Sequence, residues 1–568
     1  MIRIVTASLA LLLASCAIAP APERVPFAQE APTAQIAVTA HPLASRAALA
    51  MLDKGGSAAD AAIAAQMVLG LVEPQSSGLG GGSLVLHWDA AGRKLASYDG
   101  LSAAPVRVTA SSRTDTDGKI LEAEPSRRGG RTVGVPGTVA VLAMVHERHG
   151  RLAWRELFEP AIDLAEKGFP MPAYMHGILA LPDAAKNHPD MLALYFAADG
   201  KPLPVGATIR NPDYARTLRR IALGGPGAFL DGDAAARIVA AAQRGFRPSL
   251  MTEEDLRAYR AVERDPVCAP FLAFRVCTTA PPSFGGLVVL QVLQMVEARA
   301  GGRFDFDDAA FVHLYAEAGK FAQADRRHFV GDPDFVRVPV AALADPAYVR
   351  SRALVIDPAK AAKSVKAGTP EGKAAALRPD AGDPLDATSQ LAIADRAGNA
   401  ISVTTTINLN FGSRLMVDGF VLNNAMTNFS AAPRRGETLA NQMAPRKRPV
   451  TSMAPTIVFD RDGRPVVVGG SAGGGPIVDY VAASLIEMLA NGRTPGEALS
   501  RGHLTTAVPG KVQVERGTAA ASLAPALAAK GHAVEEVPLL SGLGFIKRGR
   551  DGWIGAADPR RDGAALGN

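Results

Sequence analysis

A chain of 568 residues with 48% hydrophobic content can bury a large core, either as several domains or as one large α/β unit. Its formal charge of +6 is small for that size. The basic residues are scattered apart from Arg434-Arg435 and Arg446-Lys447-Arg448, which argues against a nucleic-acid-binding stripe.

In chain order, MIRIVTASLALLLASC comes first, with Arg3 ahead of an apolar run over residues 9–14. The run is too short to span a bilayer and reads as an export signal. Its ending, Leu13-Ala14-Ser15-Cys16, looks like a bacterial lipobox. On that reading residues 1–16 are a lipoprotein-type signal peptide and Cys16 is the lipidated first residue of the mature chain. A plain secretory signal is the alternative. The expected location is the bacterial periplasm, with membrane contact only through the lipid. Residues 17–33 are Pro/Ala-rich and read as a tether. Export places Cys268 and Cys277, which flank a short connection between two strand-like runs, in an oxidising compartment. A hairpin cross-link and a pair of buried free thiols both stay open, since spacing does not establish disulfide geometry.

An Ala/Leu helix over residues 45–52 ends at Gly55-Gly56, and Ser57 caps a second helix running to Leu71. The glycines of EPQSSGLGGGSLVLHWD precede a strand rather than a helix. That excludes a phosphate loop and points to close backbone packing over Gly78–Gly82. Helical spacing marks WRELFEPAIDLAEKGFPM, and Thr252 to Asp255 forms a capping-box pattern ahead of the two cysteine strands. APPSFGG is a turn before another helix, and one more covers residues 311–329. Residues 359–386 carry almost no large apolar side chains and read as an exposed, mobile loop.

Residues 386–430 then organise the rest. Leu391, Ile393 and Asp395 alternate with Ala392 and Ala394, Gly398-Asn399 supplies a turn, and residues 401–407 form a second β-rich run. The product is a hairpin with Thr388 at its first residue. Further on, VVVGGSAGGG is a strand entering a glycine-rich turn before a helix, a junction suited to binding an anion through its N–H groups.

A Thr opening a strand, followed by D-x-x-G-N-A-I-S-V-T-x-T-x-N, F-G-S and L-N-N-x-M, resembles the small-subunit start of the γ-glutamyltranspeptidases. EPQSSGLGGG and the C-terminal GAADPRRDGAALG are similar to further segments of that family. The resemblance covers roughly residues 36–567 and implies an α/β, four-layer αββα sandwich of the N-terminal-nucleophile hydrolase type. Such a protein cuts itself into subunits that stay associated. Here the cut would fall between Ala387 and Thr388, giving a large subunit over 34–387 and a small catalytic one over 388–568. A freed threonine combines nucleophile and base, because its α-amine, with an ordinary pKa near ~8, can take the proton from Oγ.

The resemblance further implies that Thr388 forms an acyl-enzyme and Thr406 orients it. Gly473 and Gly474 would donate N–H groups to the oxyanion, while Asn408, Asn428, Thr451 and Ser452 would line the acyl group's polar end. The donor is a small-molecule amide, γ-glutamyl or related, and the acceptor is water or an amine. No cofactor or metal is called for, and no Cys/His cluster has metal-ligand spacing.

Three positions depart from the family. Ala110 stands where the carboxylate-binding arginine belongs, Ala425 replaces a glutamine, and Asn428 replaces the aspartate that pairs with a substrate ammonium. Arg107 and Arg113 are candidate substitutes for the arginine. The expected activity is acyl transfer of the γ-glutamyltransferase/hydrolase class. The alternatives are an acylase for glutaryl-like groups and an inactive binding lipoprotein of the same fold. The short span between N-N-x-M and K-R-P predicts a reduced lid and an open cleft.

Overall fold

The computed structural model of the protein describes residues 26–112, 127–182, 188–244, 247–370, 387–430 and 438–568. Cys16, Arg113, the second half of the pre-cleavage loop and residues 431–437 of the lid span lie outside the described residues.

The strands of the two large sheets, in chain order, begin with β1 (Ala28–Thr33), β2 (Ile36–Thr39), β3 (Gly82–Asp89), β4 (Lys94–Gly100), β5 (Val262–Arg264), β6 (Val267–Phe271) and β7 (Phe274–Thr278). They continue with β8 (Ser389–Ala394), β9 (Ala400–Thr406), β10 (Thr456–Phe459), β11 (Pro465–Gly470), β12 (Gly544–Arg548), β13 (Trp553–Ala557) and β14 (Ala564–Gly567). One seven-stranded sheet runs β1-β13-β12-β11-β10-β7-β6 and the other β14-β2-β8-β9-β3-β4-β5.

Strand alternation explains how they stack. Ile36, Val38, Ala392, Ala394 and Ala400 meet Val468 and Ile546 of the other sheet in one apolar layer. Leu391, Ile393, Ile401 and Val403 face the other way, into a core shared with α1 (Pro42–Asp53) and α2 (Ala58–Val72). The remaining face of the first sheet is covered by α3 (Gly285–Arg299), α4 (Ala309–Phe329) and α5 (Ile477–Leu489). The layers are therefore α, β, β, α, as expected. The period-2 pattern of β8 reflects burial on both faces, not a wet and a dry side.

Local signals hold where they can be read. Ser57 caps α2 in a capping box with Asp60, and Thr252 does the same with Asp255. The Gly80 and Gly81 positions are close approaches: a methyl group there would collide with the carbonyls of Val421 and Thr406. Cys268 and Cys277 are direct cross-strand partners on β6 and β7, 4.1 Å apart at Cα, and form a disulfide.

Two expectations are corrected. The tether is shorter than 17–33, because residues 28–33 pair with β13 as an edge strand. The loop expected over 359–386 is anchored over its described part. The Ala361 N–H donates to the Lys530 carbonyl at 2.8 Å, and the Gly368 N–H to Asp325 Oδ1 at 2.8 Å. Both fail for one reason: small and polar residues still pair through their backbones, which composition does not report. Among the described residues no helix is long and apolar enough to cross a membrane.

Candidate active site

The hairpin β8–β9 lies at the centre of its sheet, pairing Ser389 with Thr405, so Thr388 and Thr406 come together at its open end. The Thr388 hydroxyl donates to Thr406 Oγ1 at 3.4 Å, and the Thr406 hydroxyl in turn donates closely to the Ala387 carbonyl. The Asn408 N–H donates to Thr406 Oγ1 at 2.8 Å and fixes that hydroxyl. One side chain thus touches both the candidate nucleophile and the carbonyl it would attack. Thr388 is buried at 3% exposure, which limits competing water.

The other sheet brings the glycine turn. Gly470 at the end of β11 lies against the Gln390 side chain, two residues after Thr388. Gly473 and Gly474 then have φ of 123° and 62°, the region that favours glycine. The Ser452 hydroxyl donates to the Gly474 carbonyl at 2.6 Å. Ser452 therefore supports this turn, and Thr451 is tied through its carbonyl to Ser283 and Phe284.

Asn408 adopts φ of 81° and donates from Nδ2 to Thr427 Oγ1 at 2.8 Å. The Asn428 carbonyl accepts from Asn441 Nδ2 at 2.7 Å, while its half-buried side chain bonds to none of the described residues. Ala425 shares a small apolar cluster with Ala104, Val108 and Phe429. Of the three departures only Ala425 belongs to that cluster; Asn428 immediately precedes its Phe429, and Ala110 follows its Val108 by two residues. Arg107 is exposed there.

Sequence reasoning assigned no role to Arg561 and Glu73. The Arg561 guanidinium donates from Nη1 to the Thr388 carbonyl at 3.0 Å and from Nη2 to the Leu540 carbonyl at 3.4 Å. Glu73 accepts from the Ser389 hydroxyl at 2.6 Å. Both stand inside quoted motifs, GAADPRRDG and EPQ, but nothing in those strings says what they touch.

One buried group of metal-ligand composition occurs among the described residues: His313, Glu317 and His532. Lys320 Nζ donates to Glu317 Oε1 at 2.7 Å and lies 3.0 Å from His532 Nδ1, so an ammonium already fills the place a cation would take. His313 and His532 are hydrogen-bonded to each other at 2.7 Å. The cluster shares no residue with the threonine site.

Residues 44–568 match the family model described as Gamma-glutamyltranspeptidase. The chain is 34% identical over 547 residues to a glutathione hydrolase proenzyme of Bacillus subtilis, covering 93% of this chain and 90% of that protein. It is also 34% identical to an acylase ACY 1 proenzyme of a Pseudomonas species, covering 93% and 92%. The crystal structure of a cephalosporin acylase from Bacillus halodurans superposes with a TM-score of 0.83 at 26% identity, covering 98% of this chain and 99% of that one. With a convergent threonine pair at the head of a hairpin, a glycine turn beside it and matches of this length, the chain belongs to the γ-glutamyltranspeptidase family of self-processing N-terminal-nucleophile enzymes.

Proposed function

We propose that Thr388 is the nucleophile, that the Ala387–Thr388 bond is the one cut, and that the mature enzyme transfers an acyl group from a γ-glutamyl-like amide, such as glutathione, to water or an amine. The observation that carries this reading is the Thr388–Thr406–Ala387 hydrogen-bond chain. In maturation Thr388 Oγ attacks the Ala387 carbonyl carbon, the C–N bond breaks, and the hydroxyl proton ends on the leaving nitrogen. Water then hydrolyses the Ala387 ester, freeing the threonine. In turnover the α-amine takes the Oγ proton and later returns it to the donor's departing amine. The N–H groups of Gly473 and Gly474 are the candidate oxyanion donors, each worth roughly 3–4 kcal/mol of barrier.

A second reading is favoured by Ala110, Ala425 and Asn428: an acylase for glutaryl-like groups without an α-amine. Rates of the purified protein on γ-glutamyl and glutaryl anilides separate the two. A single uncut band on a denaturing gel, with neither anilide turned over, would leave only a binding protein. We further propose anchoring through Cys16. With β1 beginning at Ala28, about 11 residues reach at most roughly 40 Å from lipid to fold. Equal recovery of wild type and Cys16→Ala in the aqueous phase of a detergent partition would overturn the anchor.

A further inference from the structure

The turn that ends α2 supports both threonines at once. The Gln75 carbonyl accepts from the Phe411 N–H at 3.0 Å and the Ser76 carbonyl from the Ile407 N–H at 3.0 Å, which holds the chain just after Thr406. Ser77 Oγ and Glu73 Oε2 bond to the Ser389 hydroxyl at 3.0 and 2.6 Å, which holds the chain just after Thr388. Glu73 is 1% exposed. Its second oxygen, Oε1, is buried with no hydrogen-bond partner among the described residues, as are both polar atoms of the Gln75 side chain and Ser76 Oγ. A carboxylate with one orphaned oxygen is a costly way to brace a turn that a neutral amide could brace.

Strand alternation puts Ser389 and Glu73 on the helix side of β8, and Thr388 with Gln390 on the other side. Glu73 therefore acts through the backbone, not on Oγ. The charged groups acting on it are Arg561, which donates to the Thr388 carbonyl at 3.0 Å, and Asp562 beside it.

We propose that Glu73 is a positioning residue for self-cleavage, its ionised carboxylate holding Ser389 and Arg561 so that the start of β8 is fixed while the preceding peptide bond is attacked. The proposal rests on Thr388 being the nucleophile. Burial pushes the Glu73 carboxyl up to about 7, with Arg561 and Ser389 pulling it back and Asp562 adding to the rise. Above that pH the carboxylate is ionised and the clamp is complete; below it the charge facing Arg561 is lost. Before the cut Thr388 has no free α-amine, so an ionisation near neutrality in the maturation rate cannot belong to that amine.

The experiment follows the appearance of the small subunit on denaturing gels, from full-length precursor made by cell-free synthesis and incubated between about pH 5.5 and 8. Wild type is expected to mature roughly tenfold or more slowly at the acid end. Glu73→Gln is expected to be slow and flat across the range, and Glu73→Asp to recover part of the rate together with the acid limb. A Glu73→Gln precursor maturing at the wild-type rate with the wild-type profile overturns the proposal. Thermal melting of Thr388→Ala with and without Glu73→Gln reports whether the variant folds. Should it not fold, Ser389→Ala decides. Loss of that hydrogen bond moves the acid limb to higher pH, and an unmoved limb overturns the proposal. Cleavage of Thr388→Ala itself would instead remove the nucleophile reading.

Discussion

At one end of the candidate site, Thr388 immediately precedes β8, Thr406 closes the neighbouring strand β9 and the Gly473-Gly474 turn leaves a strand of the facing sheet, with Ser452, Arg561 and Asn408 bonded into the arrangement. At the other end, Ala425 and Asn428 ride on a single 3₁₀ turn, and Ala110 follows a loop whose Arg107 is exposed. Bond-making geometry needs sub-ångström placement, which paired strands supply, whereas the three departing positions lie on a turn and a loop, where a change costs the fold little. On the proposed function the two ends are separable, so that acyl chemistry can be kept while glutamyl selectivity changes.

The largest effect should come from breaking the rigid end. Thr388→Ala is expected to remain one uncut chain and lose activity by about 10⁴-fold or more, read on a gel and with either anilide. N-terminal sequencing of the wild-type small subunit should begin Thr-Ser-Gln-Leu. Next is Gly473→Ala. A side chain at φ of 123° is strained, and its Cβ would stand 2.8 Å from the Tyr480 ring. Displacing one oxyanion donor should cost roughly 10²–10³-fold in kcat for both anilides alike, with KM little changed.

The recognition end should respond differently. Asn428→Asp restores a charge that would meet a substrate ammonium, so the γ-glutamyl to glutaryl ratio of kcat/KM should rise by roughly 30-fold or more while maturation proceeds as before. An unchanged ratio would mean that Asn428 does not face the head group. The smallest effect on activity belongs to the Cys268→Ser, Cys277→Ser double variant. It opens a short loop at a sheet edge, with β10 standing between the disulfide strands and β11. About 2–3 kcal/mol of stability should be lost in denaturant titration, with the anilide ratio untouched.

The sequence made some of this plain and hid the rest for physical reasons. The β8–β9 hairpin, the Ser57 and Thr252 caps and the close packing at Gly80 and Gly81 were readable because each depends on neighbours a few residues apart. The four-layer stacking and the threonine site came through the family resemblance, not through periodicity. What escaped was contact between distant segments: Glu73 on Ser389, Arg561 on Thr388, and the His313–His532 pair. Ser452 was expected at the acyl group's polar end, and its bond to the carbonyl of Gly474 is a further contact the sequence did not indicate. The Cys268–Cys277 bond was undecidable until register made the two residues direct partners.

Sheet order carries one more implication. With the cut before Thr388, β2 belongs to the first piece yet lies between β14 and β8 of the second, and β10 of the second pairs with β7 of the first. The first fragment then lacks the middle strands of both sheets, and the second, which keeps β13-β12-β11-β10 as one run, lacks β2 from between β14 and β8. Neither has an independent native state to return to, so coming apart and unfolding become a single event. On the proposed cut the scission would work as a ratchet: insertion of β2 is intramolecular while the chain is unbroken, and hydrolysis then removes that covalent link. Denatured mature enzyme should accordingly regain activity poorly and in a concentration-dependent way, where the uncut Thr388→Ala precursor refolds alone.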